Sequence, residues 1–529
     1  MTMASTPATD VGREQWSGQL GFLLSAIGSA IGLGNIWRFP GVAYDNGGGA
    51  FLIPYLVALL TAGVPVLLLD YSLGHRFRGS APTVFRRLGK RLEPLGWFQV
   101  AIAFVIATYY TVIIVWAIRY AFFSVSLAWG DDPAGFFVGD FLQDAGPTVT
   151  TDVVGGIFWP MLALWLVTLV ILALGVARGI ERANKIFLPL LVVLFLILVV
   201  RALFLPGALD GLTAFFTPNW AALADPGVWI AAYSQIFFSL SIAFGIMLTY
   251  SSYLRRRSNL VPVSYVAAFA NSSFEVLAGI GVFATLGYMA FQQGIAVGEL
   301  EGITGVVLSF ITFPQIISLM PGGPIFGVLF FVSLTLAGFT SLISIMQVVS
   351  AAFQEKFGLS RVQVSVLIGG LCAIISLALY STTSSLAMLD TVDKYTNEVG
   401  VVTSAILMCL ITGFGLRKLP ELQAHLNLVS TARIGTWWRV LVGVVVPIAL
   451  AYMLVTTVME LLTEPYGDYP WTFVNVVGWG TVGVMVLAAF VYAAVRWRRP
   501  VDDFTPDPIP GFAADSARLG GPTKPEAGR

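Results

Sequence analysis

The sequence predicts an all-α protein that crosses a lipid bilayer twelve times, with its first and sixth crossings interrupted. Three observations predict this. Of 529 residues, 57% are apolar and only 11% charged, and mean hydropathy is +0.83; a soluble domain carries roughly 25% charged residues and could not cover its surface with so few. The apolar residues gather into twelve runs, each close to or beyond the about 20 residues that a spanning helix needs. The charges between the runs alternate in kind from one connection to the next.

The same composition excludes other classes. The 29 Lys+Arg balance 29 Asp+Glu, so no basic excess draws nucleic acid. Two Cys and two His (His75, His425) are too few for a disulfide framework or a Cys/His zinc site. Cys372 and Cys409 lie in apolar runs, as small core residues do. No G-x-x-x-x-G-K-[ST] occurs, and no acid/base or nucleophile set converges, so the chain is not read as an enzyme. The polar start, with Asp10, Arg13 and Glu14, is not a secretory signal.

The runs are 18–42, 50–74, 95–128, 158–176, 185–205, 228–254, 261–292, 324–355, 362–380, 386–415, 438–462 and 472–496. Residues 1–15 form an N-terminal tail and 16–499 the twelve-helix domain. Residues 500–529, rich in Pro, Gly and Asp, form a tail expected to be disordered. Connections after even-numbered runs are basic: Arg76, Arg78, Arg86, Arg87, Lys90 and Arg91, then Arg178, Arg182 and Lys185, then Arg255, Arg256 and Arg257, then Lys356 and Arg361, then Arg417, Lys418 and Arg433. On the other side, 129–157 carries Asp131, Asp132, Asp140, Asp144 and Asp152 with no Lys or Arg, and 293–323 carries only Glu299 and Glu301. Lys and Arg are retained on the cytoplasmic side. Both termini are therefore expected there, in a multi-pass protein of the plasma (inner) membrane.

Two runs should break. Span one reads Gly28-Ser29-Ala30-Ile31-Gly32-Leu33-Gly34-Asn35 near its middle, and span six reads Phe238-Ser239-Leu240-Ser241-Ile242-Ala243-Phe244-Gly245. Each Gly costs a helix about 1 kcal/mol against Ala, so three in seven residues weaken span one locally. Gly28-xxx-Gly32 is equally a helix-packing motif; Asn35 and Arg38, within the same run, point instead to a cavity. Unwound backbone at membrane depth is tolerated only where it lines a cavity or is buried in protein. Half-helix ends offer carbonyls to cations and N–H groups to an anion. Spans one and six open two five-helix halves, about 16–205 and 228–415, followed by two helices in 438–496. Breaks at those two places are what an inverted repeat produces.

Several motifs then match a family in order: Arg13-Glu14-Gln15-Trp16, GSAIGLGNIWRFP from Gly28 to Pro40, Asn46-Gly47-Gly48-Gly49-Ala50-Phe51, Tyr109-Tyr110, Gln235-Ile236-Phe237-Phe238-Ser239-Leu240-Ser241 and Ala337-Gly338-Phe339-Thr340-Ser341. Over about 13–500 the chain resembles the neurotransmitter:sodium symporters, whose fold is named for the bacterial leucine transporter (LeuT). The resemblance implies a secondary active, sodium-coupled symporter that imports a neutral amino acid by alternating access. It implies two sodium sites. The first would use the Ala30 carbonyl, the side-chain oxygens of Asn35 and Asn271, Ser239 and the substrate's carboxylate. The second would use carbonyls of Gly28, Ile31 and Ala337 with hydroxyls of Thr340 and Ser341. Neutral oxygens suit a hard cation, although Thr340 and Ser341 alone equally suit back-bonding to their own helix.

The resemblance also implies a substrate pocket lined by Ser29, Ala30, Gly34, Ile106, Tyr110, Phe238, Ser239, Ser241, Phe244, Ser341 and Ile345. Tyr110 would hold the carboxylate and Phe244 would close the site. Family members that carry monoamines have Asp where this chain has Gly32, so the substrate should bring its own carboxylate. Ile106, Phe244 and Ile345 favour an apolar side chain. Ser29 and Ala243 depart from the leucine-transporter pattern, which has Asn and Gly there. Glycine, GABA, taurine and betaine stay open as substrates, and a sodium-dependent amino-acid sensor and a channel as rival activities.

Glu275 lies one turn beyond Asn271 on the same helix face, where chloride-dependent relatives have Ser. A fixed carboxylate replaces Cl⁻ there, so chloride-independent transport is expected, with proton counter-transport as a second expectation. The gates would pair Arg38 with Asp390 outside, and Arg13 with Glu355 inside beside Trp16 and Tyr253. Asp70 would accept backbone N–H groups at the breaks. Asp393 and Lys394 would pair with each other and are assigned no role. The expected partners are a small-molecule substrate and the bilayer.

Overall fold

The computed structural model describes residues 14–303 and 305–509. The expectations for Arg13, for the chain before 14 and for the tail beyond 509 fall outside the described residues. Among these, regular structure is helical apart from two isolated bridges, Gly48↔Pro218 and Val153↔Thr382.

Ten helices are long and apolar enough to cross a membrane: Leu52–Phe77, Lys90–Ser124, Gly155–Leu174, Val176–Leu203, Leu260–Gln293, Gly323–Phe357, Arg361–Tyr380, Ser385–Gly415, Thr436–Asp468 and Trp471–Ala494. An eleventh crossing is the pair Gln19–Ala30 and Gly34–Asp45, bent by 52°. The remaining apolar run, span six, splits into Pro226–Ser239 and Ile246–Ser252, each too short to cross alone. The twelve runs of the sequence are thus present, with the first and sixth broken.

Two stretches read as connections are helical. The basic stretch 176–185 continues span five, because the chain reverses at Gly175 alone, whose φ of +92° glycine adopts without steric cost. The stretch 293–323 contains the apolar helix Gly305–Leu319. It forms because Phe310 and Phe313 stack on Phe331 and Phe330, with centroids 6.0 and 4.2 Å apart.

The break in span one follows Ala30: Ile31 is extended (ψ 97°) before helix resumes at Gly34. The break in span six is sharper. Ser241, Ala243 and Gly245 have φ of 53°, 66° and 90°, a region from which side chains are largely excluded. The exposed backbone groups are met from neighbouring spans, as buried polar groups require. Ala243 N–H donates to Asp70 Oδ2 at 3.0 Å, and its carbonyl accepts from Ser404 Oγ at 2.6 Å. Spans three and eight pack along one another and flank both breaks.

Candidate substrate and ion site

All eleven residues expected to line a substrate pocket converge on one small cavity of about 40 Å³ between the two breaks. Gly32, Asn35 and Asn397 complete its lining. The Ser29 carbonyl, freed at the end of the first half-helix, accepts from Ser241 Oγ (3.2 Å) and Ser341 Oγ (3.1 Å). Ser29 Oγ is buried with no hydrogen-bond partner among the described residues. Tyr110 Oη accepts from Leu33 N–H at 3.2 Å, which leaves the hydroxyl proton for another acceptor. A Cβ on Gly32 would lie 2.8 Å from Ser341 Oγ and 2.9 Å from Tyr110 Oη, so the chain approaches here as only glycine can. The floor and lid are apolar: Ile106, Phe244 and Ile345.

Beside the cavity, three residues expected at one ion site form a chain. Asn35 Oδ1 accepts from Gly32 N–H (2.8 Å), Asn35 Nδ2 donates to Asn271 Oδ1 (2.9 Å), and Asn271 Nδ2 donates to Ser239 Oγ. Glu275, fully buried, accepts from Tyr55 Oη and from Gln235 Nε2 (2.6 Å). At the other expected ion site, Thr340 Oγ1 donates to the Ala337 carbonyl at 3.0 Å and the Leu336 carbonyl at 3.1 Å, while Ser341 reaches across to span one. A hydroxyl that donates to its own helix keeps its lone pairs for a cation. Gly28 and Ile31 lie on the span-one side of the same seam. Among the described residues no cluster of three or more His, Cys, Asp or Glu could hold a transition metal. The donor set fits a small hard cation carried as cargo.

A second cavity, about 240 Å³, leads from this site toward the acidic end of the bundle. Arg38 and Asp390 both line it, but the expected ion pair is not formed. Asp390 accepts from Tyr466 Oη (3.0 Å) and Tyr469 Oη (3.3 Å). Arg38 lies over the Phe238 ring at 4.5 Å and donates to Ser234, and Asp393 lines the same cavity. The expected Asp393–Lys394 pair is also replaced: Asn397 donates to Asp393 at 2.8 Å, and Lys394 pairs with Glu398 at 2.8 Å. Two tyrosines from beyond residue 460 claim Asp390, a contact that spacing within span ten cannot reveal.

The basic end is sealed. Trp16 is 2% exposed; its Nε1 donates to the Tyr250 carbonyl at 2.9 Å, and its N–H donates to that of Tyr253 at 3.3 Å. Tyr253 Oη accepts from Gln347 Nε2 at 2.8 Å. Glu355 accepts from Ser80 N–H (2.8 Å) and Thr83 Oγ1 (2.5 Å). Two contacts here were not read from the sequence: the Glu14–Arg361 ion pair, and Glu14 accepting from Val176 N–H at 3.0 Å.

The model of the sodium:neurotransmitter symporter family matches residues 13–140 and 130–499. The chain belongs to this family. This symporter is 42% identical over 466 residues to an uncharacterized sodium-dependent transporter of Methanocaldococcus jannaschii, covering 87% of this chain and 94% of the relative. It is 28% identical to the sodium-dependent dopamine transporter of Caenorhabditis elegans, covering 90% and 85%. Among solved structures, MhsT in complex with L-phenylalanine superposes with a TM-score of 0.71 at 33% identity, over 84% of this chain and all of that one. The symporter is therefore a multi-pass, sodium-coupled transporter of the LeuT fold and not an enzyme.

Proposed function

We propose that the protein imports a neutral, apolar α-amino acid together with two Na⁺ ions, by alternating access and without chloride. The observation that carries this is Gly32, which is held against Tyr110 and Ser341 and leaves the protein no carboxylate of its own beside the Tyr110 hydroxyl. The substrate then supplies the anion. Its carboxylate accepts from Tyr110 Oη and completes the ion site at Ala30, Asn35, Ser239 and Asn271, so substrate and ion bind as one unit. The second ion takes the Gly28, Ile31 and Ala337 carbonyls with Thr340 and Ser341. The Ile106, Phe244 and Ile345 walls accept an apolar side chain, in line with the L-phenylalanine bound by MhsT.

Glu275 supplies the negative charge beside Asn271 in place of Cl⁻ and carries a proton outward on the return step. Both termini face the cytoplasm, so Trp16 closes the inside and the 240 Å³ cavity opens outward. The driving force is sufficient. One charge moved through 100 mV yields about 2.3 kcal/mol, and a tenfold gradient adds about 1.4 kcal/mol per ion. Two ions supply roughly 7 kcal/mol; the proton carried outward cancels one charge and leaves roughly 5 kcal/mol, between about 10³- and 10⁴-fold accumulation of a zwitterion.

The test is a thermal-shift screen of the twenty amino acids, GABA, taurine and betaine, with and without Na⁺, followed by uptake into proteoliposomes. Stabilisation by an apolar amino acid that needs Na⁺ is expected. Equal stabilisation in K⁺ would refute the shared carboxylate–ion site, and binding without accumulation would make the protein a sensor.

A further inference from the structure

Span five packs along the first half of span one, and both glycines of that half meet it. A Cβ on Gly21 would collide with the Glu181 carboxylate, and one on Gly28 with Asn184 Oδ1. Ser25 falls between them at helical spacing, on the same face. Glu181 is satisfied there: it accepts from Ser17 N–H at 2.9 Å and pairs with Lys185 at 2.6 Å. Asn184 is not. It is 0% exposed, and its Nδ2 donates to the Ile180 carbonyl, one turn back, at 2.9 Å. That bond orients the amide with its oxygen toward span one, since the reverse orientation would set two acceptors against each other. Oδ1 has no hydrogen-bond partner among the described residues, and neither has the buried Ser25 Oγ. Buried polar atoms are rarely left unmet in this way.

Oδ1 lies against the backbone of the expected second ion site. In an unbroken helix the Gly28 carbonyl would accept from Gly32 N–H, and the Ile31 carbonyl from Asn35 N–H. Here Gly32 N–H donates to Asn35 Oδ1 at 2.8 Å, and Asn35 N–H to the Gly32 carbonyl at 3.3 Å. Both carbonyls are thereby released from the helix. With the Ala337 carbonyl, Thr340 and Ser341 they make five oxygens, all from spans one and eight, whereas hard cations gather about six or more. Asn184 approaches Gly28 from span five, a side that none of the five occupies. Its amide oxygen is neutral, so it adds to the cage without a charge that would hold the ion too tightly for release.

We propose that Asn184, through Oδ1, is a further ligand of the second Na⁺ and sets how tightly that ion is held. The inference rests on the two-ion reading above and adds a residue from a third span. Gly28 is then required twice, for its carbonyl and for the room that its missing Cβ leaves to Asn184. A bridging water would satisfy Oδ1 equally well, but would leave Na⁺ binding independent of residue 184.

The first ion site lacks its carboxylate until substrate binds, so Na⁺ alone reports on the second. The full-length protein is purified in detergent and titrated with NaCl against KCl at constant ionic strength, without amino acid, with thermal stability as the readout. N184A should need about tenfold more Na⁺ for half of its stabilisation. N184D, equal in size, sets a carboxylate at the ion and should need severalfold less; it keeps the test decisive if N184A does not fold. T340A, which loses an expected ligand of the same ion, should shift the midpoint in the direction of N184A. Loss of packing on Gly28 would instead lower the melting temperature equally in Na⁺ and K⁺. Midpoints of N184A and N184D within about twofold of wild type, or a T340A midpoint equal to wild type, would overturn the proposal. A wild type indifferent to Na⁺ would remove the second ion itself, and this role with it; a wild type that responds while the Asn184 variants track it would remove Asn184 alone.

Discussion

Glu275 in span seven receives a hydrogen bond from Gln235 in the first half of span six at 2.6 Å, and a second from Tyr55 in span two. Three spans are thereby tied to one buried carboxylate, one helical turn from Asn271. If that charge replaces chloride, E275S should transport only when Cl⁻ is supplied. Uptake by E275S is expected to fall by about tenfold or more when gluconate replaces Cl⁻, equivalent to at least about 1.4 kcal/mol of lost ion binding. Wild-type uptake should not change. Identical anion profiles for the two proteins would remove Glu275 from this role.

Arg38 and Asp393 share the cavity above the transport site, while Asp390 is held by Tyr466 and Tyr469. D393N should therefore lower uptake by about tenfold, the effect of losing one charge contact of about 1.4 kcal/mol. D390N, which keeps an acceptor for one tyrosine hydroxyl and offers an amide N–H to the oxygen of the other, should change it less than about twofold, or under about 0.4 kcal/mol. Initial rates of Na⁺-driven uptake decide this; a larger loss in D390N would restore Asp390 as the gate.

Ala243 is fully buried at φ 66°. A left-handed conformation costs a non-glycine residue roughly 1–2 kcal/mol, so A243G should stabilise the protein by about 1 kcal/mol once the entropy of glycine is subtracted. D70N exchanges the carboxylate that accepts Ala243 N–H for a weaker acceptor and should destabilise by about 1–3 kcal/mol. Melting curves in one detergent compare them; a lower melting temperature for A243G would contradict the strain argument.

His425, outside the spans, is buried beside His75, Arg76 and Arg78. Burial first, then those charges, push its pKa down to about 2, from about 6.5 in an unfolded chain. Above about pH 6.5 the ring is neutral in both states. As pH falls, the unfolded chain gains a proton that the folded chain excludes, so stability is lost progressively from about pH 6.5 toward about pH 2. The melting temperature should drop between about pH 7 and pH 5, and less steeply in H425Q. Parallel slopes would show that another group titrates.

The pocket was largely legible before the structure, because its residues lie in contiguous motifs. Ser29 to Asn35 occupy one break and Phe238 to Phe244 the other, and all the residues named for the pocket meet at one cavity. Asn397 escaped notice: it is a single polar residue in an apolar run, and only the packing of span ten on span three brings it to Tyr109 and the cavity. The pair Arg38–Asp390, expected as the outer gate, is not formed in this conformation, for a similar reason. Asp390 and Asp393 are three residues apart and share a helix face, so spacing cannot choose between them; the choice rests with Tyr466 and Tyr469, more than seventy residues later.

Hydropathy and charge order alone specify twelve runs, their succession and the weak points in runs one and six. These are local properties, set by the transfer of side chains and backbone between water and lipid. Partnership between distant groups is not local. Glu14 finds Arg361 across 347 positions, and His75 finds His425 across 350. Such contacts exist only after the helices have packed, because their side chains are brought together by the shape of the bundle rather than by proximity along the chain.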